Sequence, residues 1–113
     1  MSRRASGLQA WAVQRLTAIY IGAFFVYLIG AVVLSPPADV GVWREQVGGG
    51  VASVAWLLFI LALCWHAWIG IRDVVIDYIH PPVIRLGVLI AFGGGLVACL
   101  LWGVKIILLA SGA

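Results

Sequence analysis

The stretch "LCWHAWIGIRDVVIDYIHPP", Leu63 to Pro82, sets an imidazole inside an apolar run and follows it with two aspartates and a tyrosine. His66 is the group best suited to chemistry there. A neutral imidazole carries one N–H donor and one lone pair that can accept a hydrogen bond or bind a metal. Asp73 and Asp77 follow His66 by seven and eleven residues. At about 100° per residue, both carboxylates project roughly on its face of a continuous helix. Tyr78 adds a phenol beside Asp77.

Two readings compete for His66. An ionisable residue within a membrane span usually faces a bundle interior, where it can simply hydrogen-bond a neighbouring helix. The alternative is a metal-bearing macrocycle. Ala62 and Gly70 lie four residues either side, on nearly the same stripe, and would leave a shallow depression for a flat ring. Small residues also let helices approach with no cofactor present. Trp65 and Trp68 point away, toward lipid or another helix. Haem iron accepts imidazole as an axial ligand, and a six-coordinate electron-transfer haem needs two. His80 is fourteen residues on, about 21 Å along a helix, and it abuts Pro81, so it cannot be the second. A haem bound here would be held between subunits.

The other polar residues divide in the same way. Asp77 and Tyr78 could hydrogen-bond a quinone carbonyl and support its protonation, although tyrosine is also common at membrane interfaces. Arg15 is either a membrane anchor or a bidentate partner for a haem propionate. Asp73 is expected as a solvated boundary residue, with Arg72 meeting solvent or lipid phosphate.

Elements of a particular kind must position these groups. The 113 residues are 65% hydrophobic and 10% charged, against about 25% charged in soluble domains. One domain, residues 1–113, is expected, too small to enclose a cofactor alone. The apolar cores Leu16–Leu34, Val51–Ile71 and Leu86–Val104 are each near the ~20 residues that cross a bilayer. Backbone groups in lipid must be satisfied internally, so helices are expected over about 16–34, 51–76 and 84–109. The fold class is all-α, an integral membrane protein with three transmembrane helices. "SPPADVGVWREQVGGG" (Ser35 to Gly50) reads as a loop. Pro81 and Pro82 stop the second helix near His80, and the third starts at Pro82 or Val83.

Arg3, Arg4, Arg15, Arg72 and Arg85 fall on one side of these spans, and Arg44 and Lys105 on the other. The positive-inside rule then puts the N-terminus in the cytoplasm and the C-terminus outside. The first span is longer than a signal-peptide core, and the chain reads as mature sequence. Cys64 and Cys99 read as small packing residues. The net charge of +3 forms no basic run of the kind that tracks nucleic acid. No nucleotide-binding, zinc or nucleophile-elbow motif occurs.

"HAWIGIRDVVIDYIHP" (His66 to Pro81) resembles the signature of the smaller hydrophobic membrane-anchor subunit of succinate dehydrogenase. "QRLTAIY" (Gln14 to Tyr20) is similar to the start of that family's first span. The resemblance covers most of the chain, with the third span matching only in hydrophobicity. It implies half of a heterodimeric haem-binding helix bundle in a bacterial inner membrane. It also implies a second, cytochrome b anchor, an iron–sulfur subunit and a flavoprotein. His66 would be one axial ligand of haem b, Arg15 a propionate partner, and Tyr78 with Asp77 part of the ubiquinone site. Gln9 stands where some relatives carry a histidine near the propionates. The chain would not oxidise succinate itself. A cofactor-free structural or assembly protein and a fumarate reductase anchor are the alternatives.

Overall fold

A computed structural model describes residues 3–112, which form α1 (Arg3–Leu34), α2 (Val40–Gly48), α3 (Gly50–Tyr78) and α4 (Pro82–Ala110), with no strand among them. The three long helices are the three apolar segments, each long enough to span a membrane. α1 starts well before the expected boundary. Its opening is rich in Ala, Leu, Gln and Arg and contains no proline, so nothing in it breaks a helix. The side chains of Arg3 and Arg4, which weigh in the orientation count, lie outside the described residues.

The first connection is not the plain loop its composition suggested. Within it, α2 is started by Asp39, whose carboxylate accepts from the Val42 amide at 2.9 Å, an ordinary N-cap. The three glycines at the end of this stretch each hold a defined place. Gly48 ends α2 where a Cβ would run into the backbone at Ala110 and Ser111. Gly49 is extended at φ −61° and ψ 153°, and Gly50 opens α3. The triplet is therefore a tight corner that seats α2 against the end of α4.

The second connection behaves as expected. α3 ends at Tyr78, and Pro82 takes the first turn of α4, where its missing N–H costs nothing. Arg85 reaches back from α4. Its Nε donates to the Ile79 carbonyl at 2.9 Å and an Nη to the Ile76 carbonyl at 3.2 Å. One cation thus satisfies two carbonyls at the negative end of α3.

α3 is the central helix, packing on α1 and on α4, which do not touch each other. Both packings are antiparallel. Thr17 meets His66 while Tyr20 meets Ala55, by a hydroxyl-to-carbonyl bond of 2.8 Å. On the other side the Cys64 thiol lies 3.7 Å from the Leu96 carbonyl, and Trp68 packs over Gly93. An aromatic cluster centred on Phe24 locks α1 to α3 near α2, with Phe59 at 4.7 Å and Trp56 at 5.0 Å between ring centres.

Little is buried. Among the described residues only Ile69, Val75 and Ile107 are. The accessible surface is 8169 Å², whereas a soluble 12.1 kDa protein would expose about 6,000 Å². Large apolar side chains such as Leu16, Val26, Leu101 and Trp102 stand outward. This is the surface of a chain solvated by lipid and by other subunits.

Candidate functional site

His66 sits on the α1-facing side of α3, half-buried. Its Nδ1 lies 3.1 Å from the Thr17 hydroxyl oxygen. That hydroxyl is also 2.7 Å from the Val13 carbonyl and 3.1 Å from the Gln14 carbonyl. The imidazole is thereby tied to α1 through one nitrogen.

Beside it, α1 and α3 enclose an open cleft of about 420 Å³. His66, Ile69, Arg72 and Asp73 form one wall, and Gly7, Ala10, Trp11, Gln14, Arg15 and Ala18 form the other. The room comes from the small residues of α1, not from the stripe around His66. Gly70 instead accommodates Gln14, whose Nε2 is 3.7 Å from where a glycine Cβ would stand. The depression expected at Gly70 is therefore taken up by a helix contact. Trp65 is exposed and Trp68 packs on α4, so both indoles do turn away.

Charge gathers at this end of the cleft. Arg15 is exposed, with its guanidinium 5.7 Å from the centre of the Trp11 ring. Arg72 contacts Asp73 at 3.3 Å. That pair is partly exposed, which makes it a weak tether. Two buried side-chain polar atoms, Arg72 Nε and Gln14 Oε1, have no hydrogen-bond partner. A buried donor or acceptor left unmade costs about 1–3 kcal/mol. Among the described residues no three His, Cys, Asp or Glu side chains gather to hold a metal.

Asp77 and Tyr78 are not part of this cleft. They close α3, both exposed, Tyr78 to 79%. Twelve residues separate Tyr78 from His66, about 18 Å along the axis. His66, Arg15 and Asp73 come together, and Asp77 with Tyr78 forms a separate surface at the helix end. A larger cleft of about 780 Å³ lies at the opposite end, between α1, α2 and α3, with aromatic and aliphatic walls. It offers no carboxylate, histidine or cation.

Thr17 and Gln14 were not singled out by their chemistry in the sequence, and Arg72 was read only as a contact for solvent or lipid phosphate. A signal for two of them exists. Gly7, Ala10, Gln14 and Thr17 recur at spacings of three and four, a small and polar stripe down one face of an otherwise apolar helix.

Fold and cleft together define a three-span α-helical membrane protein with a histidine and two arginines at an open cleft between its first two spans. The family model described as "Succinate dehydrogenase/Fumarate reductase transmembrane subunit" matches residues 1–102, and the chain belongs to that family. It is also similar to the protein named "Succinate dehydrogenase hydrophobic membrane anchor subunit" from Coxiella burnetii. The two are 29% identical over 109 residues, covering 96% of this chain and 93% of that one. The chain is thus a multi-pass membrane anchor subunit of the succinate dehydrogenase/fumarate reductase family, and works in a complex with other subunits.

Proposed function

We propose that this chain is one of the two anchors of a bacterial succinate:ubiquinone oxidoreductase, respiratory complex II. It would lie in the inner membrane with its N-terminus cytoplasmic and its C-terminus periplasmic. His66 would hold haem b through a ring nitrogen, jointly with the cytochrome b anchor. The single observation that carries this reading is a lone imidazole at a cleft whose buried Arg72 Nε and Gln14 Oε1 lack partners. The donor set suits the group: a ring nitrogen for iron, and guanidinium N–H groups for acidic substituents. When bound, the haem supplies a one-electron store.

The remaining roles belong to this chain's residues. Arg15 and Arg72 neutralise the propionates at the cleft mouth by charge-assisted hydrogen bonds. Gln14 and Ile69 keep water from the imidazole. Tyr78 donates its hydroxyl proton in a hydrogen bond to a ubiquinone carbonyl, and Asp77 beside it connects that carbonyl to the aqueous proton supply. Both stand exposed on this chain, so the iron–sulfur subunit and the second anchor complete the quinone pocket. The flavoprotein oxidises succinate.

The test is the visible spectrum of the purified complex. A low-spin bis-histidine haem band that vanishes in His66→Ala supports the assignment, and an unchanged band removes His66 as ligand. The cofactor-free reading has the Thr17–His66 hydrogen bond in its favour, and it requires that no haem accompany the complex. A fumarate reductase anchor is separated by which quinone is extracted and which direction turns over.

A further inference from the structure

The Thr17 hydroxyl is close to three atoms, yet it owns one proton and two lone pairs. The Val13 and Gln14 carbonyls can only accept. The Val13 contact, at 2.7 Å, is the shortest of the three. It is also the back-bond to residue i−4 that a threonine in a helix ordinarily makes. The hydroxyl proton is therefore spent on the backbone, and the oxygen turns lone pairs toward His66. If Nδ1 also carried a lone pair, two acceptors would face each other at 3.1 Å. A hydrogen bond there requires the proton on Nδ1.

We propose that Thr17 is a positioning residue that holds His66 as the Nδ1–H tautomer and leaves Nε2 as the ring's free lone pair. The inference rests on the reading of His66 as an axial ligand and explains how the ring is prepared for that role. A metal-binding histidine is normally fixed by an acceptor on its other nitrogen, which sets the ring's orientation and raises its basicity. Here the acceptor comes from Thr17, well inside α1. Hydrocarbon surroundings supply no water to compete for Nδ1. The α1–α3 contact thus has a chemical consequence as well as a packing one. Residues that slide α1 along α3 would change the ligand they never touch.

The experiment uses the whole complex purified with wild-type, Thr17→Val, Thr17→Ser and His66→Ala anchors. The readouts are haem content, the low-spin electron paramagnetic resonance signal and the midpoint potential from a spectroscopic redox titration. Thr17→Val keeps the side-chain shape and deletes the acceptor. It should retain some low-spin haem, bind it about 10-fold or more weakly, and shift the potential upward as the ring donates less to iron. Thr17→Ser restores the oxygen and should return the potential toward wild type. If Thr17→Val fails to assemble, Thr17→Ala removes the same acceptor without adding bulk, and the same shift is expected. A potential and signal identical to wild type in Thr17→Val or Thr17→Ala would overturn the proposal. A Ser variant that behaves like Val would do so too, since it would assign the effect to packing of the methyl group. If His66→Ala leaves the haem signal intact, the axial-ligand reading itself falls. That outcome is distinct from a silent Thr17 beside a responsive His66.

Discussion

His66 is a single polar side chain whose surroundings decide its use. One nitrogen is occupied by Thr17 at 3.1 Å, and the cleft beside it ends in two guanidinium groups. The arginines differ in a way that can be measured. Arg15 is exposed over Trp11, whereas Arg72 has a buried Nε without a partner. On the proposed haem reading, removing a positive charge at the cleft would disfavour the added electron, so Arg15→Leu and Arg72→Leu should each lower the haem midpoint potential. The shift should be larger for Arg72, because its side chain is less exposed than that of Arg15 and a less solvated charge is less screened. Redox titration of each variant complex checks the sign and the order. At the other residue cluster, Tyr78→Phe deletes only a hydroxyl. One neutral hydrogen bond is worth roughly 0.5–1.5 kcal/mol, so quinone reductase activity should fall several-fold while artificial-dye reduction by the soluble subunits persists. Equal quinone rates in both proteins would remove Tyr78 from the site. His66, Arg15 and the Asp77–Tyr78 pair stand out in sequence as candidates because each is a polar type where apolar residues dominate. Thr17 does not, because a threonine in a span is unremarkable until its partner across the interface is known.

At the level of elements, the ends carry more information than the middles. α3 would finish with bare carbonyls next to Pro81, but Arg85 caps two of them from α4. Arg85→Met should therefore destabilise the chain by about 1–2 kcal/mol, seen as earlier unfolding in detergent micelles, with local loss concentrated at the α3–α4 corner. Sequence counting used Arg85 only as a charge for orientation, and its hydrogen bonds needed the fold of the corner. α2 gives a second case. Pro, Asp and glycine composition argued for a loop, yet Asp39 caps a helix and Gly48 admits it against α4. Gly48→Val should force α2 away from Ala110, at an overpacking cost of about 1–3 kcal/mol. Faster proteolysis within 35–50, with α1 and α3 still protected, is the expected readout.

The whole molecule is incomplete by itself. Among the described residues α1 and α4 flank α3 without meeting, and the three that are buried do not make a core. The cleft at His66 is open along one side, and the Tyr78 surface has no wall opposite it. These gaps are on the same chain but at different heights, as expected of a subunit that meets one neighbour within the membrane and others at its edge. On the proposed reading of the complex, extraction in mild detergent should co-purify this chain with a second helical membrane protein and two water-soluble subunits. Quantitative mass spectrometry of the intact assembly tests this, and a monodisperse, stable chain purified alone would count against it.

The number of membrane helices and the break between the second and third were legible in sequence alone, because long apolar runs have one stable backbone form in lipid and prolines interrupt it; the early start of α1 was not, since nothing apolar marks it. The family resemblance was legible too, since it lies in consecutive residues around His66. Which faces meet was decided only by the tertiary structure. Helices that are apolar all round carry little facial pattern, so nothing local says that α3 is central or that α1 and α4 stay apart. The pairing of Thr17 with His66 follows from that arrangement, across 49 residues of chain, through antiparallel packing that depends on small side chains on α1 and α3.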